Sequence, residues 1–252
     1  MSRPRQGAPV AQAARPAAPA ETGQAVRHAL GFPDVPDPYA PAIDGPGTKA
    51  KIEALSVELL VRDGYQGFRF RDLAEQLGVT RATIHYYYGS KQNLCEEVVV
   101  EYVRHTLARW EKNWLSDATF SQKIVGMMEA NRARYLRVNP NGKSGNPWSL
   151  LGRMRLERDQ IGPRAREALV SFAVTLEGFI IEAIDQAVLR GELSPEIPRA
   201  DVALQLVAIA DSAGAITQDE GNFDRLDKLY RSFARIVDHA YGTGRDRAHT
   251  AD

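Results

Sequence analysis

The chain has 252 residues, 44% of them hydrophobic, and its 32 basic and 32 acidic side chains leave no formal net charge. This length suits one small and one larger domain, and the hydrophobic fraction is sufficient for a buried core. The sequence has no uninterrupted run of about eighteen apolar residues, no apolar signal-peptide core and only one cysteine, Cys95. We therefore expect a soluble, cytoplasmic protein without a disulfide framework or a cysteine-based zinc site.

Residues 1–47 hold nine of the fourteen prolines and eleven alanines, with few aliphatic anchors. Such a composition buries too little apolar surface to offset the entropy of ordering, so we predict a disordered arm. Arg3, Arg5 and Arg15 precede every acidic residue. They would suit a basic arm that enters a minor groove, although an unstructured tail is the simpler interpretation. Residues 32–39, FPDVPDPY, are the part of the arm that would instead lie against the protein surface.

Glycines divide residues 48–95 into short predicted helices. The first helix carries an apolar stripe at helical spacing, formed by Ile52, Leu55, Leu59 and Leu60. Gly64 and Gly67 interrupt it, because glycine favours the backbone conformations with which a chain leaves a helix. The second helix carries Leu73, Ala74 and Leu77 and ends at Gly78, the residue type that best adopts a left-handed helix end.

The third predicted helix runs from Arg81 to about Tyr88, and Thr80 is placed to cap it. This helix needs only Ile84 and one or two of its tyrosines for packing, so its other face is free to contact something else. Two short helices joined across such a turn form a helix-turn-helix, whose second helix fits the DNA major groove.

The rest of the chain predicts longer helices and no strands. Their expected ranges are Ser90 to about Trp114, Phe120–Val138, Trp148–Ile161, Pro163–Gly191, about Arg199–Thr217 and about Asp224–Tyr241. The segment 139–147 is dense in proline, glycine and asparagine and predicts a loop. The fold class is therefore all-α: a three-helix domain at 48–95, a helical bundle at 96–242 and a flexible tail at 243–252.

The first forty-odd residues of this helical region resemble the DNA-binding domain of the tetracycline-repressor (TetR) family. The resemblance is carried by Asp72-Leu73-Ala74, Gly78-Val79-Thr80, Thr83-Ile84, the aromatic run Tyr86-Tyr87-Tyr88, and Ser90-Lys91 with Leu94. The aromatic run followed by Ser-Lys is the most specific part. His85 departs from the usual tyrosine, and Phe68-Arg69 replaces a polar pair, which weakens the expected cap of the second helix.

The resemblance implies a DNA-binding surface on the third helix and its neighbours. Its expected members are Lys49, Arg69, Arg71, Thr80, Arg81, Ala82, Thr83, His85, Tyr86, Tyr87 and Lys91. Arg81 lies in the first turn, where arginine can pair with guanine, whereas His85 could contact a base, contact a phosphate or merely pack. Lys91 at the next helix start suits a phosphate. Residues 48–95 carry seven basic and five acidic side chains, a net charge of +2 that modestly supports DNA binding.

TetR-like regulators also have a ligand pocket in the second domain, and apolar or aromatic residues are its expected lining. The predicted members are Trp110, Met127, Met128, Asn131, Tyr135, Trp148, Met154, Phe172, Leu176 and Phe179, most of which would equally suit a core. A second cluster, Arg153, Arg155, Arg158, Arg164 and Arg166, is more simply a charged solvated face than an anion site. No metal or cofactor is expected.

The resemblance further implies a homodimer in which the last two helices, at about 199–217 and 224–241, pair with those of a second subunit. Their apolar stripes are compatible with this but would also suit an intramolecular core, and the small residues Ala208, Ser212 and Gly214 allow close helix contact. The expected partners are operator DNA, a second subunit and a small-molecule effector, with no membrane.

The expected function is that of a repressor released from a palindromic operator by a largely apolar or aromatic ligand. A ligand-dependent repressor and an activator stay open. An enzyme is disfavoured, because the chain has no phosphate loop, dinucleotide fingerprint, Gly-x-Ser-x-Gly or His-Glu-x-x-His motif. A helical protein-interaction module would leave the free face of the third helix unexplained.

Overall fold

A computed structural model describes residues 47–244, and within this range the chain folds into nine helices. They are α1 (Thr48–Gly67), α2 (Phe70–Leu77), α3 (Arg81–Tyr88), α4 (Lys91–Trp114), α5 (Phe120–Val138), α6 (Leu150–Leu156), α7 (Pro163–Leu189), α8 (Arg199–Glu220) and α9 (Asp224–Tyr241). The only β pairing among the described residues is an isolated bridge between Leu193 and Gly242. The all-α prediction is confirmed. The predicted arm and tail lie almost entirely outside the described residues.

The helix boundaries agree with the sequence prediction except around two helices. The predicted helix 148–161 is reduced to the seven residues of α6. Ser149 sets its start by accepting from the Gly152 N–H at 3.1 Å, and the helix ends at Leu156, five residues before the predicted end. Helix α8 continues to Glu220 and ends at Gly221, whose φ of 64° is the left-handed conformation that glycine adopts without strain.

Helices α1 to α3 pack around a small apolar core that includes Ile52, Leu60, Leu73, Ile84 and Tyr88. Gly78 takes the left-handed conformation after α2, and the Thr83 N–H donates to the Thr80 hydroxyl at the start of α3. Arg69 makes no side-chain cap for α2, as expected for a residue without an acceptor.

Helix α4 connects this three-helix unit to the rest of the molecule without a break. Its first turns bury Leu94 and Cys95, and its last turns bury Trp110 and Trp114 among the later helices. It packs most extensively on α7. Glu96 of α4 also accepts from the Arg164 N–H at 3.3 Å and so supplies the side-chain acceptor that Gly162 cannot give to the start of α7. A tilt of α4 would therefore move both parts of the molecule.

The loop between α5 and α6 is organised around the fully buried side chain of Asn139. Its amide donates to the carbonyls of Tyr135 and Asn146, at 3.1 and 3.2 Å, and its oxygen accepts from the Asn146 N–H at 3.0 Å. The Tyr135 hydroxyl donates to the Ser144 carbonyl at 2.8 Å. A segment that the sequence marks only as rich in helix breakers thus has a fixed path, because its backbone groups have internal partners.

A buried hydrogen bond joins this loop to α8. The Trp148 indole N–H donates to the Thr217 hydroxyl at 2.7 Å, and that hydroxyl lies 3.0 Å from the carbonyls of both Ala213 and Gly214. Gly214 faces Ser149 of its own chain, and a Cβ added at Gly214 would lie in van der Waals contact with the Ser149 Cβ, at 3.5 Å. It is therefore a close-packing position within the protomer.

Thr217→Val should lower the free energy of unfolding by about 1–3 kcal/mol, because valine keeps the shape but leaves the buried Trp148 N–H without an acceptor. Urea denaturation would measure the change. Thr175→Val on α7, where Thr175 is half-buried, is the matched control and should cost less than about 1 kcal/mol. Equal losses in the two variants would contradict a stabilising role for this hydrogen bond.

Candidate nucleic-acid interface and effector site

One face of α3 is exposed along its whole length. It contains Arg81, Ala82, His85 and Tyr86, whereas Ile84 and Tyr88 are buried on the opposite side. Arg81 makes no ion pair with any residue in the described range 47–244. A helix held by two side chains, with arginine in its first turn on the open side, is suited to insertion into a groove of DNA.

The three consecutive tyrosines of α3 have different environments. Tyr86 is 86% exposed and Tyr87 is 42% exposed, whereas Tyr88 is buried and donates from its hydroxyl to Glu53 at 3.1 Å. Burial raises the pKa of Tyr88. Lys49 lies 3.8 Å from the Glu53 carboxylate and 5.9 Å from the Tyr88 ring centroid. Tyr88 therefore anchors α3 to α1, and Tyr86 and Tyr87 are free to contact a partner.

His85 is held by two contacts within the three-helix unit. Its Nδ1 lies 2.9 Å from the Gly89 carbonyl, and its ring packs edge-on to Phe70 of α2 at 4.9 Å. Because a carbonyl can only accept, Nδ1 carries the proton in this arrangement, and in the neutral ring Nε2 is left as an acceptor. The packing partner of the His85 ring is thus Phe70 on the preceding helix.

The basic residues around α3 differ in availability. Arg69 and Arg71 are exposed, and Arg71 lies 3.3 Å from Asp72. Lys91 instead turns towards the protein: its ammonium lies 4.5 Å from the Tyr65 ring centroid and 3.4 Å from the Gln66 carbonyl, and partial burial lowers its pKa. A phosphate contact by Lys91 thus requires a phosphate to approach this pocket or the side chain to leave it.

Most side chains predicted to line the ligand pocket lie in the core of the second domain. Phe179 is partly buried, and the buried members are Trp110, Met127, Met128, Asn131, Tyr135, Trp148, Met154, Phe172 and Leu176. Asn131 donates to the Tyr230 hydroxyl at 3.0 Å, so its amide contributes to structure. Two members of the arginine cluster form ion pairs, with Arg153 2.9 Å from Glu157 and Arg155 2.6 Å from Asp211, and Arg166 donates to the Ile161 carbonyl at 3.0 Å.

Arg134, which is not among the residues predicted to line a ligand pocket, is a buried cation on α5. It is only 9% exposed, and its guanidinium lies 5.8 Å from the Tyr102 ring and 5.9 Å from the Trp110 ring. Thr106 is four residues from both Tyr102 and Trp110 on α4 and is therefore on the same face of that helix. Neither Arg134 Nη2 nor Thr106 Oγ1 has a hydrogen-bond partner among the described residues. Buried polar atoms of this kind are rare unless a ligand or water completes them.

A groove of about 580 Å³ lies where the three-helix unit meets the second domain. We call it the boundary groove. Its walls come from α1, α4, the end of α5 and the loop before α6, and its lining residues are Val57, Glu58, Val61, Arg62, Tyr102, Arg137, Val138, Asn146, Pro147 and Trp148. Of the residues predicted to line a ligand pocket, only Trp148 borders it.

A direct contact between the two parts of the molecule lies beside α6. The Tyr65 backbone N–H donates to the Glu157 carboxylate, which Arg153 holds from the other side. Gly64 precedes this N–H with a φ of 70°, and a Cβ at Gly64 would collide with Glu157 and Arg153. The end of α1 is thus attached to α6 through a position that requires glycine.

Helix α8 combines high apolarity with low burial. By length and composition alone, this helix could span a membrane, because its most apolar 18-residue window has a mean hydropathy of 1.3. In the structure, 39% of that window is buried. The exposed side carries Leu204, Ala208, Ser212 and Ala215 at helical spacing. On the neighbouring helix α9, Ile236 is 63% exposed. This α8/α9 face is an apolar surface that the isolated protomer leaves uncovered.

Residues 47–244 contain neither a cluster of candidate metal ligands nor an accessible cysteine thiol. No group of three or more His, Cys, Asp or Glu side chains in that range could hold a metal ion. Cys95 is fully buried, and burial raises the pKa of its thiol to about 12. A thiol of this kind is unreactive at neutral pH.

A three-helix unit with a free recognition helix, joined by one long helix to a larger all-helical domain, defines a helix-turn-helix DNA-binding protein. The sequence model described as "Bacterial regulatory proteins, tetR family" matches residues 52–98. We therefore identify residues 52–98 as a DNA-binding domain of the TetR family of bacterial regulatory proteins.

Solved structures share this fold over most of the chain. A TetR transcriptional regulator from Legionella pneumophila has 17% identity and a TM-score of 0.62, with 79% of this chain and 100% of that chain covered. A transcriptional regulator from Saccharomonospora viridis in complex with choline has 21% identity and a TM-score of 0.62, covering 77% and 97%. FadR from Bacillus subtilis in complex with stearoyl-CoA has 17% identity and a TM-score of 0.55, covering 74% and 96%. A comparison with curated proteins finds no match.

Proposed function

We propose that this protein is a dimeric, ligand-responsive repressor that binds a palindromic operator through α3. The observation that carries the proposal is the exposed face of α3, where Arg81, Ala82, His85 and the 86%-exposed Tyr86 lie together. An arginine in the first turn beside a small alanine is suited to base edges, and a major groove is wide enough to admit a single helix of this kind. The protein acts as a cytoplasmic regulator and has no catalytic role in this proposal.

A single helix-turn-helix covers too few base pairs for useful affinity, and a two-fold dimer solves this problem. The α8/α9 face is the surface best suited to pairing. Small residues at Ala208, Ser212 and Ala215 let a second α8 approach closely, and Leu204 and Ile236 supply apolar area. The dimer would hold two α3 helices about 34–36 Å apart, one turn of DNA.

Ala208→Arg should raise the dimer dissociation constant at least about tenfold, because a long charged side chain would lie unpaired in a close helix contact. Sedimentation equilibrium measures the change. Ala133→Arg, at an exposed alanine on α5, is the matched control and should leave the dimer intact. A dimer that tolerates Ala208→Arg as well as Ala133→Arg would exclude the α8/α9 face.

Arg134 indicates the chemistry of the effector. A buried guanidinium between two aromatic rings, next to an unpartnered hydroxyl of Thr106, suits a carboxylate or similar anion on a largely apolar molecule. Structural neighbours in complex with choline and with stearoyl-CoA indicate that this fold accommodates effectors of opposite charge. The charge of the effector must therefore be inferred from the side chains of this chain, and Arg134 favours an anionic effector.

The proposed response uses the two connections between effector site and DNA-binding unit. Arg134 packs on Tyr102 and Trp110 of α4, so a ligand inserted there displaces α4, which continues into the DNA-binding unit. The contact from Glu157 to the Tyr65 N–H resists or transmits the same displacement at the end of α1. A change in the α3–α3 separation weakens both half-sites together.

Arg81→Ala should cost about 1–3 kcal/mol on the cognate operator, and much less on an operator whose contacted guanine is replaced. A double-mutant comparison of protein and operator by fluorescence anisotropy measures this. Lys91→Ala provides the contrast, since loss of a phosphate contact weakens all sequences alike and lowers the salt slope by about one. If Arg81→Ala loses equal affinity on every operator, Arg81 only positions the protein.

Arg134→Met should abolish stabilisation by anionic effectors while leaving the fold intact, because methionine keeps much of the apolar packing and removes the charge. A thermal-shift panel of aromatic and acyl carboxylates, each with its primary alcohol, tests this. Carboxylates should raise the Tm of the parent more than the alcohols do. Arg235→Met, at an exposed position on α9, should behave as the parent. Equal shifts in the parent and in Arg134→Met would exclude this site.

A further inference from the structure

The boundary groove is open, which distinguishes it from a small-molecule site. Five of its ten lining residues are exposed: Glu58, Arg62, Arg137, Val138 and Asn146. Small ligands are usually held in pockets that enclose most of their surface. A groove with an apolar floor and a polar rim instead suits an extended stretch of polypeptide, which presents alternating side chains along its length.

The floor of the groove has the composition of a site for a proline-rich chain. Two aromatic residues, Tyr102 and Trp148, stand beside Val57, Val61 and Pro147. Trp148 is fixed in place by its hydrogen bond to Thr217. Rigid aromatic walls bind polyproline II segments well, because such segments are already extended and lose little conformational entropy when they dock.

A segment with the matching chemistry lies in the N-terminal arm. Residues 32–39, FPDVPDPY, place three prolines among Phe32, Val35 and Tyr39, with acids at Asp34 and Asp37. The groove rim carries two guanidinium groups, from Arg62 and Arg137, and one carboxylate, from Glu58. The apolar residues of the segment therefore match the floor. Arg62 is already paired with Asp63 at 2.7 Å, so the rim with Asp63 included carries no net charge and the match depends on the apolar residues.

The segment is also tethered at a suitable distance. The groove borders α1 at Val57 and Val61, up to thirteen residues after Thr48. At 1.5 Å per residue, this is about 20 Å along the helix. The eight residues 40–47 can span roughly 26 Å when extended, so the segment can fold back along α1 and reach the groove.

We propose that residues 32–39 of this chain bind in the boundary groove of the same chain. The groove has one wall in the DNA-binding unit and another in the second domain, so the bound segment straps the two parts together. The bound segment restricts the tilt of the DNA-binding unit. The solved structures need not have this contact, because about a fifth of this chain has no counterpart in the regulator from Legionella pneumophila.

Disulfide trapping in the full-length chain tests the docking. Val35→Cys is combined with Val138→Cys at the groove rim, where Val138 is 40% exposed, and in a second protein with Val170→Cys on α7, where Val170 is 49% exposed. Position 170 is a matched control outside the groove. It lies near the end of the tether, because Arg164, six residues earlier on α7, shares a surface pocket with Gly47. The native Cys95 is buried and unreactive, so it does not interfere.

Under mild oxidation, the cross-link between positions 35 and 138 should form within one chain at least about tenfold faster than the cross-link between positions 35 and 170, because docking raises the effective concentration. Adding Phe32→Ser and Tyr39→Ser should remove that preference. Peptide mass spectrometry identifies each link. Equal rates for the two pairs, a preference that survives the serine substitutions, or covalent dimers linked through positions 35 and 138 would each overturn the proposal. The outcome does not depend on DNA or on an effector.

Discussion

One backbone N–H, that of Tyr65, fixes the end of α1 against the second domain. At Gly64 the chain takes a left-handed conformation, which interrupts α1 and leaves the Tyr65 N–H without its helical partner. Glu157, just after α6, accepts this N–H, and Arg153 fixes the carboxylate. Because a charged acceptor makes a strong hydrogen bond to a backbone donor, this contact sets where the end of α1 lies relative to the second domain. Only glycine fits there.

The same region orders the rest of the molecule. Helix α6 lies between α1 on one side and α8 on the other, and the loop before it is held by Asn139 and by the Trp148–Thr217 hydrogen bond. A displacement of α8 or of this loop must therefore reach the end of α1. Helix α4 supplies the second, covalent route. The DNA-binding unit is thus joined to the second domain by two routes, a hydrogen bond at the end of α1 and the continuous helix α4.

The sequence predicted the helices well because their signals are local. Apolar stripes predict where the helices run, Gly78 ends α2, and Thr80 and Ser90 cap the helices that follow them. The site was harder to predict because its contacts join distant segments. Glu157 and Asn139 look like ordinary surface and loop residues, and nothing in their local sequence marks their partners.

The predicted effector residues illustrate a second limit. Large apolar side chains line pockets and fill cores alike, and the sequence could not separate the two uses. Arg134 could have been predicted from the sequence, because it lies three residues after Asn131 and seven after Met127, on the buried side of α5. A charged residue in an apolar stripe is rarer than an aromatic one and therefore more informative. The residues expected to face DNA could be grouped from the sequence because most of them lie on the short helix α3.

The uncovered apolar side of α8 also affects how such a protein would behave at low abundance. In a protein that must pair before it binds DNA, the amount of active species rises with the square of the protomer concentration when pairs are scarce. Occupancy of an operator then changes sharply around a threshold protomer concentration. A newly made protomer has little effect until it dimerises with a second copy. Close packing along Ala208 and Ala215 would thus convert a gradual change in synthesis into a steeper change in gene control.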